Sequence, residues 1–278
     1  MEHTHVEIAV EGLAEVWGSL VTLGRSLPDE AFTLPTECPG WSVLDQFSHV
    51  IGTELTLEGA SAPDQGGDDP DHVRNELGAL NERFVVERRS RAPREVVDEL
   101  EVLTSRRLAV LRSLDAEAWS VIGPTPIGMV PYVDFMGVRI FDSWVHEQDV
   151  RRAVGRPGDR GGIGERITLD RMEASMPYVL GRRVAPATGS TLRLAITGVL
   201  GRVIQLEMST DEGGRGRARS VEVISGPPTA EIRMDEETFV RRACGRIGPD
   251  AALGIATTSW DGDETLVTSF VTEMVVMV

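Results

Sequence analysis

The sequence predicts a helical N-terminal bundle followed by a smaller mixed α/β domain, and three observations carry that prediction. Apolar residues recur at the helical period through successive segments between Val6 and Val154. A breaking cluster, Gly155, Arg156, Pro157 and Gly158, then interrupts the chain. From Thr191 onward, apolar and polar residues alternate with the period of strands. At 278 residues the chain is long enough for two cores, since domains usually run to roughly 100–150 residues. The expected domains are residues 1–160 and 165–278.

The first helix follows from apolar residues at positions 6, 9, 10, 13, 16, 17, 20 and 21, with Gly24 as a stop. After the turn-rich stretch Pro35 to Gly40, Ser42 followed by Asp45 resembles a capping box and opens a second helix through about Leu57. Ala60 to Asp71, rich in Asp, Gly and Pro, predicts a loop. Helical patterns follow over about Asp71 to Arg89 and Pro93 to Leu114, then a Gly and Pro cluster at Gly123 to Gly128. A fifth helix is expected from about Val133 to Val154.

In the second region, strands are expected at Thr191 to Thr197, Arg202 to Met208, about Arg219 to Ile224, and Ala230 to Met234. Asp211 to Gly216 reads as a hairpin turn. A short helix from Asp235 to Cys244 has an acidic start and is stopped by Gly245. The tail from Asp263 to Val278 has helical spacing but is built largely of the β-formers Val and Thr, so its two signals conflict.

Composition narrows the function. With 44 acidic against 28 basic residues and a net charge of −16, the chain repels nucleic acid, so no such partner is expected. All the basic residues are Arg and none is Lys, which fits high-GC codon usage and an actinobacterial source. It also excludes lysine Schiff-base chemistry and leaves carboxylate recognition to arginine forks. Cys38 and Cys244 are too few and too far apart for a disulfide scaffold or C-x-x-C redox chemistry. Met1 to Val10 lacks the basic start and apolar core of a signal peptide, and no apolar run reaches a membrane span of roughly 20 residues. A cytoplasmic protein without membrane partners is expected.

Asp142-Ser-Trp-Val-His146 is the sharpest chemical feature, because four-residue spacing puts a carboxylate and an imidazole on one helix face. Phe135, Val138, Asp142, His146, Asp149 and Ala153 form one stripe. An inward-facing Asp and His pair calls for compensation by a cation, whereas the same pair at a surface needs none. Zinc requires a further protein ligand. His3 and His5 lie at a terminus expected to fray, and His72 follows the acidic loop, where an exposed role is expected. His49 shares a helix face with Asp45 and Thr53, which either meets water or lines a cleft between helices. Cys38 reads as a small buried residue of the Cys-Pro-Gly turn, with a thiolate ligand or nucleophile as its other reading, and Trp41 and Trp144 as core packing. Asp149 either orients a ligand or pairs with Arg152.

Two stretches carry a family resemblance. Cys38-Pro-Gly-Trp-Ser-Val-Leu-Asp-Gln-Phe-Ser-His49 resembles the motif that opens the metal-binding bundle of mycothiol-dependent maleylpyruvate isomerase-like proteins, a branch of the DinB-like bundle proteins. Arg139-Ile-Phe-Asp142-Ser-Trp-Val-His146-Glu-Gln-Asp149 resembles the second metal-binding helix of that family. The resemblance implies a DinB-like four-helix-type bundle with a divalent metal, usually zinc, on His49, Asp142 and His146. The isomerase has Glu where this chain has Asp142. Two imidazoles and one carboxylate with an open position describe a catalytic rather than a structural site, and would also suit Fe(II). The second region resembles the sterol-carrier-like domain fused to such bundles, and Gly245-Arg246 matches a Gly-Arg whose arginine assists catalysis in the family. Arg246 is thus the expected catalytic residue, with helix capping as its other reading.

By the same resemblance the cofactors are the metal and mycothiol, and the substrate is a small electrophilic or anionic molecule. The implied reaction is isomerisation of the maleylpyruvate type or thiol S-transfer. Two other readings compete: a lipid or small-molecule binding protein with a structural or vacant metal site, and a thiol-independent metal hydrolase.

Overall fold

The computed structural model describes residues 4–64, 70–210 and 216–277. The chain divides into two compact units, Met1–Thr168 and Leu169–Val278.

The first unit is helical. α1 (His5–Ser26) begins at a capping box in which the Thr4 side chain accepts from the Glu7 amide and Glu7 reaches back. It buries Leu13, Val16, Trp17 and Leu20 along one stripe. A short 3-10 turn (Asp29–Thr33) leads to α2 (Val43–Leu57), where Ser42 and Asp45 form the expected capping box. α3 (Glu76–Arg88) starts later than its apolar pattern suggests, because the Asn75 side chain caps the Gly78 amide. α4 (Pro93–Ser113) has Pro at its first position. The Gly and Pro cluster expected as a break is a small hairpin, β1 (Ile122–Thr125) and β2 (Gly128–Pro131), preceded by the short helix α5 (Ala116–Ser120). α6 (Tyr132–Ala153) completes the unit.

α1 packs on α4 and α6, and α2 packs on α3, α4 and α6. This central position decides the fate of α2, which is enclosed nearly all round. Asp45, Gln46, Ser48, His49 and Glu54 are buried together with Val43, Phe47, Val50 and Ile51. Helix approach is close at Gly52, where an added Cβ would lie 2.4 Å from the Cβ of Phe84 on α3.

α7 (Ile163–Tyr178) was not anticipated from the sequence, and the division between the units falls inside it, past the Gly-rich stretch. Leu169, Met172 and Met176 are its buried positions in the second unit. A π-helical turn (Val179–Val184) follows. The second unit holds a five-stranded sheet of order β5-β4-β3-β6-β7, built from β3 (Thr191–Thr197), β4 (Arg202–Thr210), β5 (Gly216–Ser220), β6 (Ala230–Asp235) and β7 (Ser259–Gly262). β3 and β6 are parallel and the other pairs antiparallel. On β6, Ala230, Ile232 and Met234 point into the core with the expected alternation.

β5 lies earlier than the expected Arg219 to Ile224. Beyond Ser220 the Gln205 side chain binds the Glu222 carbonyl and the Ile224 amide, replacing strand pairing. Most of the expected hairpin turn, at 211–215, lies outside the described residues, as does His3. The helices are α8 (Glu236–Ala243), α9 (Pro249–Gly254) and α10 (Glu264–Glu273). In the tail the helical spacing prevails over β propensity, because Asp263 caps the Leu266 amide and Leu266, Val267, Phe270 and Val271 share a buried face. Among the described residues no helix is long and apolar enough to cross a membrane.

Candidate metal centre

α2 and α6 bring together the three residues marked by the sequence. One potential ligand atom each from His49, Asp142 and His146 lies within 4.8 Å of the others. His49 and His146 are each 4% exposed, and the Asp142 side chain 17%. His49 Nε2 is 3.3 Å from Asp142 Oδ1 and 3.2 Å from Oδ2, while His146 Nε2 is 3.5 Å from Oδ1. The histidine rings are 4.4 Å apart between centroids, edge to face. The burial of His49 settles its open reading: its helix face lines a cleft between helices.

The hydrogen bonds around His146 fix its tautomer. Gln46 Nε2 donates to Thr36 Oγ1 at 2.7 Å, and Thr36 Oγ1 donates to the Trp41 carbonyl at 2.8 Å. That orientation turns Gln46 Oε1 toward His146 Nδ1, at 2.5 Å, so Nδ1 carries the proton and donates. With Nδ1 turned to Gln46, His146 presents Nε2 to Asp142 Oδ1 at 3.5 Å, and this nitrogen is the one placed to ligate a divalent metal beside the carboxylate.

The protonation states agree. Burial pushes the His49 imidazole down to about 4, with His146 and Arg139 adding to it and Asp142 opposing, so the ring is neutral at pH 7. Burial alone would raise the Asp142 carboxyl, but His49, Arg139 and His146 outweigh it and hold the group well below its ordinary value. A neutral His49 imidazole and an ionised Asp142 carboxylate are the states a metal requires of them. His49 Nδ1 is buried with no hydrogen-bond partner.

Asp149 pairs with Arg152, and its Oδ2 lies 3.7 Å from His146 Nδ1, beyond hydrogen-bond distance, so the partner of that nitrogen is Gln46. Arg152 in turn meets Glu37 at 3.1 Å, tying the Cys-Pro-Gly turn to α6. Cys38 forms a second close group with His146 and Asp149. Because the two groups share His146, they describe alternatives rather than two sites.

Trp41 is not a core residue, in contrast to Trp144, which is fully buried. It is half-buried, with its ring 5.0 Å from His49 and 5.7 Å from His146, and its Nε1 donates to Glu82 Oε2 at 2.8 Å. The same oxygen meets His72 Nε2 at 3.0 Å, so His72 is half-buried rather than exposed.

Sequence reasoning also missed Gln46, Glu54, Arg107 and Arg139. Arg139 had a readable signal, three residues before Asp142 on the same helix. Glu54 and Arg107 meet only through the packing of α2 on α4. Arg246 belongs to the second unit, where its Nη1 donates to the Cys244 carbonyl at 3.1 Å at the end of α8.

An α-helical bundle with an inward-facing group of two histidines and one carboxylate, followed by an α/β unit, defines the class of bundle proteins with a candidate catalytic cation site. Within that class the chain belongs to the mycothiol maleylpyruvate isomerase family, whose N-terminal domain model matches residues 13–151. Two solved structures share the fold. The crystal structure of the mycothiol-dependent maleylpyruvate isomerase is 16% identical, with a TM-score of 0.55 over 92% of this chain and 91% of that one. A histidine-to-alanine mutant of that isomerase is 15% identical, with a TM-score of 0.50 over 87% and 88% of the two chains. Comparison with curated protein sequences finds no match.

Proposed function

We propose that this protein is a metal-dependent enzyme that uses mycothiol, with a divalent cation, zinc by family precedent, on His49, Asp142 and His146. The observation that carries the reading is the convergence of one ligand atom each from His49, Asp142 and His146 within 4.8 Å of one another in a buried setting. When bound, the cation would supply Lewis acidity and lower the pKa of an incoming thiol. The chain's own residues do the rest of the positioning. Gln46 keeps the His146 proton on Nδ1, burial keeps His49 neutral, and the enclosure of α2 excludes water from one side of the centre. Arg246 is proposed to bind an anionic substrate group through its guanidinium fork. A thiol that adds to an activated double bond allows rotation and elimination, which is isomerisation of the maleylpyruvate type. Addition with loss of a leaving group is S-transfer, and the two share the same attack. Thiol chemistry of this kind fits the cytoplasm, and Cys38 and Cys244 are not disulfide-bonded.

The test is elemental analysis of purified protein together with turnover of maleylpyruvate and electrophilic S-transfer substrates, with and without mycothiol. About one metal per chain and thiol-dependent turnover are expected, with metal lost in folded His146→Ala. Turnover indifferent to thiol redirects the reading to hydrolysis by activated water. Lipid without metal in native mass spectrometry redirects it to a carrier.

A further inference from the structure

The two oxygens of Asp142 differ in their partners. Oδ2 accepts from Arg139 Nη1 at 2.7 Å and lies 3.2 Å from His49 Nε2, whereas Oδ1 lies 3.3 Å from His49 Nε2 and 3.5 Å from His146 Nε2, so that Oδ1 is the oxygen shared by both imidazoles and Oδ2 the one held by the arginine. Arg139 is itself fixed. It is buried, and its Nε donates to Glu54 Oε1 at 2.9 Å. Glu54 is fully buried and accepts from Arg107 Nε on its other oxygen, also at 2.9 Å. Arg107 Nη2 donates to the Tyr132 hydroxyl at 3.1 Å. A rigid planar fork anchored at Nε by Glu54 holds Nη1 in place better than a flexible ammonium would.

We infer that Arg139 is a positioning residue of the metal centre: it retains Asp142 Oδ2, so that the carboxylate meets the cation through Oδ1 alone, and Glu54, braced by Arg107, retains Arg139. The inference rests on the metal-centre reading above. Its chemical sense is twofold. An oxygen whose charge is drawn to a guanidinium is the weaker ligand, which favours leaving a coordination position open for an incoming group. The arginine also withdraws charge from the carboxylate, leaving the cation more electrophilic. The short Asp side chain brings its carboxylate within reach of a residue three positions earlier on the same helix. A purely structural ion pair would contribute to stability and leave the ligation mode unchanged.

The experiment is infrared difference spectroscopy, zinc-loaded minus metal-free, on protein carrying carboxyl-13C aspartate, with folded Asp142→Asn assigning the band. One-oxygen ligation separates the antisymmetric and symmetric carboxylate stretches widely, and two-oxygen ligation brings them together. A wide separation is expected in the wild type and in Arg139→Lys, which keeps a cation on Oδ2. Collapse to a narrow separation is expected in Arg139→Gln. A wide separation persisting in folded Arg139→Gln overturns the inference. If that variant fails to fold, the wild-type spectrum decides, because a narrow separation there overturns it directly. Absence of any zinc-induced aspartate band overturns the metal-centre reading itself, and this inference with it.

Discussion

Gln46 shows how one uncharged side chain can determine what an imidazole is able to do. Its amide is oriented by Thr36, and its oxygen takes the His146 Nδ1 proton. Gln46→Leu removes that acceptor and frees the ring to exchange tautomers. Metal affinity is expected to fall by about ten- to a hundredfold, the usual effect of losing an outer partner of a ligating histidine. Competition with a chromogenic chelator measures it, and unchanged affinity in a folded variant would mean that Asp149 alone sets the tautomer. The candidate ligand residues were legible, because His49, Asp142 and His146 lie in two short motifs with fixed spacing. Their supporting residues were less so. Gln46 and Glu54 are ordinary helix residues by composition, and only the enclosure of α2 turns them inward.

The same substitution in two helices should have opposite signs. Gly18 in α1 is exposed and has nothing within 4 Å of a new Cβ, so Gly18→Ala should raise stability by about 0.5–1 kcal/mol through helix propensity. Gly52 in α2 faces Phe84 at 2.4 Å, and Gly52→Ala should lower stability by about 1–3 kcal/mol through overpacking, despite the same gain in propensity. Urea unfolding midpoints of the two variants decide it, and shifts of the same sign would refute the close packing of α2 on α3. Elements were readable where a cap and a period agreed. α1 and α2 each have both, and their bounds follow the sequence signals closely. α7 has apolar residues at helical spacing but is preceded by several glycines, which mask its start. β7 is a short, exposed segment, Ser-Trp-Asp-Gly, held by pairing to β6 rather than by any pattern of its own.

Across the whole molecule, acid should unfold the protein through a few ion-paired carboxylates, half-buried at Glu99 and fully buried at Glu82. Burial would raise Glu99, but Arg88 and Arg91 outweigh it and lower the group. Glu82 is likewise lowered against burial by His72, Trp41 and Arg89. A carboxyl depressed in the folded state contributes stability that is present above its unfolded value, about 4.3. That contribution is lost as pH falls through the lower, folded value. Stability should therefore fall steeply below about pH 4. Glu99→Gln should flatten this limb while lowering stability at pH 7, as denaturant midpoints from pH 3 to 7 would reveal. An unchanged slope would place the acid sensitivity elsewhere. At this scale the fold class was legible because periodicity changes along the chain, whereas the boundary between the two units was not, because a continuous helix crosses it.

The placement of Trp41 has an optical consequence. An indole ring about 5 Å from His49 and within 6 Å of His146 lies inside the range over which a paramagnetic ion extinguishes its emission. The motif that supplies a candidate ligand histidine thus also supplies a fluorophore beside it. A metal bound as proposed would be gauged by the chain's own luminescence, dimmed by Co2+ or Cu2+ and left bright by closed-shell Zn2+.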